Sequence, residues 1–247
     1  MGPINTKEAI DMQKETFEII HASKENTVKG VLFDMDGVVL DTEKLYTRFW
    51  QEAAQSLGYP MTKEQALGMR SLNRGAGVAK MQSYFGESVD YEAIRNKRME
   101  LMDAFVEREG VEIKPGIQEL LDFLDAKGIK RAIATSSPLE RTRKYLDSVG
   151  LAGRFDELIS GYMVEKGKPE PDIYLYAAAK LGLNPEECMV LEDSPTGILA
   201  AYRAGCIPVM VPDQDRPDEE TKQLLYAVAD SLKEVVRLLD SKRRPFV

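Results

Sequence analysis

Short, nearly continuous apolar runs recur along the chain: VKGVLFD (28–34), KRAIATSS (130–137), FDELISG (155–161), CMVLEDS (188–194), CIPVMVP (206–212) and YAVADS (226–231). They are rich in β-branched and apolar residues and end on turn signals, which predicts strands. Between them lie longer stretches with apolar residues at helical spacing. GIQELLDFLDAKG (116–128) ends on a capping glycine, and PLERTRKYLDSVG (138–150) opens with proline in its first turn and ends with glycine. PDIYLYAAAKLG (171–182) and SPTGILAAYRAG (194–205) follow the same pattern. Strands alternating with helices predict an α/β fold: a Rossmann-like parallel sheet with helices on both faces.

One interval breaks the alternation. About 90 residues separate the first strand from the second, too many for a loop. They are rich in helix formers, as in LYTRFWQEAAQSLG, KEQALGM and YEAIRNKRMELMDAFVEREG, and poor in strand signals. The interval therefore predicts an inserted all-helical cap over 45–115, with EIKPGI (112–117) marking the return. The Rossmann-like core is then 29–44 plus 116–247, and residues 1–28 form an N-terminal extension. Asn5 with Glu8 predicts a capped helix there over Lys7 to His21.

Composition narrows the function. With 247 residues, 43% hydrophobic and 30% charged, the chain suits a globular protein of one large domain or two smaller ones. A net charge of −8 argues against broad nucleic-acid binding. No apolar run approaches a membrane span, and early charges at Lys7, Glu8 and Asp11 speak against a signal peptide. Two cysteines, Cys188 and Cys206, offer no disulfide framework, so a cytoplasmic setting is expected. The single histidine, His21, precedes the core, which leaves carboxylates as the acid–base catalysts there.

Ligands of open α/β sheets bind beyond the carboxyl ends of the strands. The residues predicted there are Asp34 and Asp36 after the first strand, Thr135, Ser136 and Ser137 after the second, Lys168 after the third, and Glu192 and Asp193 after the fourth. Four carboxylates on one edge repel one another strongly in a low dielectric. A hard divalent cation with oxygen ligands relieves that repulsion, and Mg²⁺ suits it. A lysine and backbone amides beside such an ion point to a phosphoryl group. One carboxylate can then attack phosphorus while another protonates the leaving oxygen and later activates water. Asp41 and Thr42, Ser137, and Ser194 are expected as caps of the helices that follow them.

The segments DMDGVVLDT, ATSS, KGKPEPD and LEDSPTG, taken in order, resemble the four motifs of the haloacid dehalogenase-like hydrolases over about residues 28–240. DTEKLY, GKPEPDIY and VMVPD resemble the subgroup that contains β-phosphoglucomutase and pseudouridine-5′-phosphatase. The resemblance implies Asp34 as nucleophile and Mg²⁺ ligand. Asp36 is implied as general acid/base, its carbonyl also binding Mg²⁺. Thr135, the Ser136 amide and Lys168 are implied to bind the phosphoryl group. Asp193 is implied as a direct metal ligand and Glu192 as a direct or water-mediated one. It further implies a phosphatase of a small phosphorylated metabolite, a sugar or nucleoside phosphate, with the helical insert closing over it. Arg70, Asn73 and Arg74 lie where a substrate loop of the cap is expected.

Three other activities on the same scaffold are distinguishable. Mutase relatives have a histidine where this chain has Tyr46, which disfavours phosphoryl transfer between sugar hydroxyls. A carbon halide leaves without a proton, so a dehalogenase has no use for Asp36. A non-catalytic metabolite-binding protein need not keep Asp34, Asp36, Lys168 and Asp193 together.

Overall fold

The computed structural model describes residues 18–19, 28–70, 72, 74–214 and 216–240. Its centre is a sheet in the order β1-β7-β6-β5-β2-β3-β4. Six strands are parallel: β2 (Gly30–Phe33), β3 (Lys130–Thr135), β4 (Glu157–Ser160), β5 (Cys188–Glu192), β6 (Ile207–Met210) and β7 (Ala227–Val228). All six coincide with the predicted apolar runs.

The N-terminal expectation does not hold where it can be checked. Glu18–Ile19 form a strand, β1, antiparallel to β7, with Glu18 opposite Val228 and Ile19 opposite Ala227. The remainder of the predicted helix lies outside the described residues. Sheet pairing to the otherwise open edge of β7 outweighs local helix spacing at these two positions.

Helices cover both faces of the sheet. On one face α5 (Ile117–Lys127), α6 (Leu139–Ser148) and α10 (Leu232–Asp240) pack against β2, β3 and β6, burying Phe33, Leu120, Ile133, Tyr145, Val209 and Val235. On the other, α7 (Asp172–Leu181) and α8 (Pro195–Arg203) bury Leu32, Ala134, Ile173, Tyr174, Val190 and Ala200. The strands consequently read as continuous apolar runs, because neither face meets water.

The insert consists of α1 (Glu43–Ser56), α2 (Lys63–Leu67), α3 (Arg74–Phe85) and α4 (Tyr91–Glu109), with its own core around Trp50, Met61, Met81 and Ile94. Its two linkers run side by side. Asp41 N donates to Glu112 O at 2.8 Å and Lys114 N to Val39 O at 2.9 Å. Lys44 bridges Asp41 and Glu112 at 2.6 and 2.5 Å. A short α9 (Glu219–Lys222) sits between β6 and β7. Among the described residues no helix is long and apolar enough to cross a membrane.

Candidate active site

Strand order reverses at β2. The chain passes from β2 to β3 and β4 on one side and places β5, β6 and β7 on the other. The carboxyl ends of β2, β3 and β5 therefore border one crevice, where such sheets bind ligands. Asp34 follows β2, Thr135 closes β3, and Glu192 closes β5.

Beyond β2 the chain folds back at once. Gly37 N donates to Leu40 O, and Val39 N and Leu40 N donate to Met35 O. Gly37 has φ +82°, and any Cβ there would collide with the Asp193 carboxylate. Glycine after the second aspartate is thus required twice, by the left-handed backbone and by the approach of β5's acid.

Lys168 is the hub of the site. Its Nζ donates to Asp34 Oδ1 at 2.5 Å, Glu192 Oε1 at 2.6 Å and the Ala134 carbonyl at 3.0 Å. It also lies over the Tyr174 ring, 5.1 Å from the centroid. Burial pushes its pKa down, but Asp34 and Glu192 outweigh burial and hold it well above the ordinary lysine range. Glu192 is buried and accepts further hydrogen bonds from Tyr174 Oη (2.9 Å), Ser194 N (3.1 Å) and Ser194 Oγ (2.8 Å). Against the effect of burial, Lys168 and Ser194 hold its carboxyl below the usual range.

Asp34 and Asp36 occupy different environments. Burial raises Asp34 to about 7, opposed by Lys168 and reinforced by Glu192 and Asp36. Asp36 is gripped by two hydroxyls: Thr42 Oγ1 donates to Oδ1 at 2.7 Å and Ser137 Oγ to Oδ2 at 3.1 Å. The expectation that Thr42 and Ser137 are helix caps is therefore overturned. Thr42 occupies the N-cap position of α1 but makes no side-chain cap bond, and the N-cap position of α6 is held by Pro138, not Ser137. Both hydroxyls are aimed at Asp36 because the folded-back turn sets its carboxylate between them. Ser194 does cap α8, accepting from Gly197 N at 3.1 Å. Thr135 Oγ1 accepts from Ser137 N at 3.1 Å, and Ser136 is exposed to the crevice.

Asp193 sits among like charges. Burial comes first, and the strongest charges acting on it are Glu192, Glu43, Asp34 and Asp213, all negative; its pKa stands well above the carboxylate range. An all-oxygen, electron-rich donor set of this kind fits a hard dication. Among the described residues no three acidic, histidine or cysteine side chains converge tightly enough to hold an ion by themselves. Lys168 stands between Asp34 and Glu192.

A cavity of about 630 Å³ opens above these groups, between core and cap. Arg70 and Arg74 both line it. Arg70 Nε donates to Leu67 O at 3.2 Å, whereas Arg74 Nε is bonded to Glu92 at 2.8 Å and its side chain is largely exposed. Asn73 lies outside the described residues. Tyr46, singled out in the sequence as the position of the mutase histidine, lines the cavity too; sequence reasoning missed Glu43, Trp50, Arg98 and Arg141, which also line it. Glu43 is raised to about 8 by burial and by Asp36, Asp213 and Asp34, with Arg70 opposing. Its place directly after the first motif was the available signal.

Comparison with known proteins supports the same reading. The family model described as haloacid dehalogenase-like hydrolase matches residues 28–205. A phosphorylated carbohydrates phosphatase of Thermotoga maritima is 34% identical over 178 residues, 72% of this chain and 82% of the relative. A protein of Drosophila melanogaster named as a pseudouridine-5′-phosphatase is 34% identical over 216 residues, 82% of this chain and 91% of its own. CbbY of Rhodobacter sphaeroides, solved with phosphate, superposes with TM-score 0.71 at 26% identity, covering 84% of this chain and 96% of CbbY. The chain belongs to the haloacid dehalogenase-like hydrolases, in the subgroup of β-phosphoglucomutase and pseudouridine-5′-phosphatase, and is a phosphatase of that family.

Proposed function

We propose that the protein hydrolyses a small phosphorylated metabolite, a sugar or nucleoside phosphate, through an aspartyl-phosphate on Asp34, with Mg²⁺ as cofactor and in the cytoplasm. The observation that carries this is the meeting of Asp34, Asp36, Lys168, Glu192 and Asp193 beneath one cavity between core and cap.

The Asp34 carboxylate attacks phosphorus, and the phosphorus–ester oxygen bond breaks. Asp36, oriented by Thr42 and Ser137, gives its proton to the departing oxygen. Asp36 then takes a proton from a water that attacks the same phosphorus. The bond to Asp34 breaks and inorganic phosphate is released. Thr135, the Ser136 amide and Lys168 hold the non-bridging oxygens, and Lys168 offsets the charge of the nucleophile. Asp34, the Asp36 carbonyl and Asp193 would hold Mg²⁺, with Glu192 contributing directly or through water. When bound, the ion supplies further positive charge for the phosphoryl oxygens.

Tyr46 favours hydrolysis over transfer. It lines the cavity where mutase relatives have histidine, and burial pushes its hydroxyl far above the range of a useful base. A panel of sugar, nucleotide and pseudouridine monophosphates with Mg²⁺ tests the reading. Inorganic phosphate should be released from at least one member, and Asp34→Asn should abolish it. Full activity in that variant, or in excess EDTA, would sink the mechanism. Conversion of β-glucose 1-phosphate to glucose 6-phosphate without net phosphate release would establish a mutase instead.

A further inference from the structure

Charge around the cavity is sorted. The floor carries Asp34, Asp36, Glu43, Glu192 and Asp193, and the cap side carries Arg70, Arg74, Arg95 and Arg98. Arg74 is paired with Glu92, and Arg95 Nη2 donates to Tyr162 Oη at 3.3 Å. On the core side, Arg141 is paired with Asp103 at 2.9 Å.

Arg98 differs from all of these. It is 9% exposed, and its Nε is buried without a hydrogen-bond partner. No ion pair joins it to a carboxylate among the described residues. It lies between two rings, 4.6 Å from the centroid of Trp50 and 4.7 Å from that of Tyr46. Burial lowers its pKa; Tyr46 opposes this, and the nearby cations Arg141 and Arg95 add to it. Stacking on two rings offsets only part of the cost of desolvating a guanidinium. A tether between α1 and α4 needs no charge, since Leu or Met would fill the same slot. What the charge adds is a planar fork suited to bidentate capture of a carboxylate or phosphate.

We infer that Arg98, clamped by Tyr46 and Trp50, receives a second anionic group of the substrate, a carboxylate or a second phosphate, remote from the ester that Asp34 attacks. This rests on the phosphatase reading above and narrows it: the substrate is a phosphomonoester carrying another anion. Tyr46 and Trp50 orient the fork, and the arginines around it add to the field.

The test uses matched esters that differ in the second charge: glycerol 3-phosphate with 3-phosphoglycerate, glucose 6-phosphate with 6-phosphogluconate, and fructose 6-phosphate with fructose 1,6-bisphosphate. kcat/KM for Mg²⁺-dependent phosphate release is measured on the full chain and on R98M and R98K. The wild type should favour the doubly charged member of at least one pair by ~10- to 100-fold. That ratio should fall towards one in R98M and survive in part in R98K. Response in the carboxylate pairs or in the bisphosphate pair tells which anion is received. Equal rates within every pair, or a preference that persists in R98M, would overturn the inference. The same pairs are also titrated calorimetrically against D34N and D34N/R98M, which requires no turnover. Tighter binding of a charged member by D34N, lost in D34N/R98M, supports the inference, and equal binding by D34N overturns it. If neither these esters nor p-nitrophenyl phosphate is hydrolysed by the wild type, the phosphatase reading fails, and the titration still decides the role of Arg98.

Discussion

Gly197 lies within α8, yet its importance is to the site. A Cβ there would fall on the Glu192 carboxylate, far inside the 3.0 Å that real Cβ atoms respect. Glu192 is the least able of the site's acids to move, since it accepts from Lys168, Tyr174, Ser194 N and Ser194 Oγ at 2.6–3.1 Å. Gly197→Ala must therefore displace it and break its ion pair with Lys168. Disrupting a buried pair costs about 3–5 kcal/mol. The better helix propensity of alanine returns about 1 kcal/mol. The expected net loss is about 2–4 kcal/mol in urea unfolding, together with a fall in phosphate release as Lys168 leaves its position. Gly153→Ala is the control: a Cβ there meets nothing within 4 Å, so its change should stay within about 0.5 kcal/mol. If Gly197→Ala unfolds at the same urea concentration as the control, the packing argument is refuted.

Three further outcomes follow from the same geometry. Lys168→Met leaves Asp34 and Glu192 buried without their cation and should lose about 3–5 kcal/mol at pH 7 in EDTA. That loss should shrink as pH falls and Asp34 takes up a proton, so an equal loss at pH 5 and pH 8 would contradict it. Glu43 has a folded pKa of about 8 against an ordinary 4.5, so its ionisation penalises the fold increasingly as pH rises from 4.5 through 8. In EDTA, Glu43→Gln should accordingly be more stable than wild type at pH 8–9 and equal to it near pH 4, as read by urea titration at each pH. Removing both hydroxyls that hold Asp36, in Thr42→Val with Ser137→Ala, should lower kcat for an alkyl phosphate by ~10-fold or more. The loss should be smaller for p-nitrophenyl phosphate, whose leaving group needs no proton; equal losses on both would remove Asp36 from the role of acid.

The chain order alone determined the parallel sheet, the inserted helices and the acids at the strand ends. Continuous apolar runs mean burial on both faces, and a residue just past such a run must emerge at the sheet's edge. Asp34, Glu192 and Asp193 were legible for that reason, whereas Lys168 lies well past β4 with Lys166 two residues before it and was singled out by the proline that follows it, not by position. Local spacing was a poor guide where a tertiary or fold-back partner competes with the local one. Glu18–Ile19 pair with β7, and Thr42 and Ser137 reach Asp36 instead of capping helices. Those hydroxyls look like caps from their neighbours, and only the fold-back after β2 shows the nearer acceptor. The cap side of the cavity was the least readable of all. Arg98 stands on α4, far along the chain from Tyr46 and Trp50, and no motif marks it. Sequence order specifies which chemistry reaches the sheet edge. Packing of one helix against another decides which buried charge is left facing the substrate.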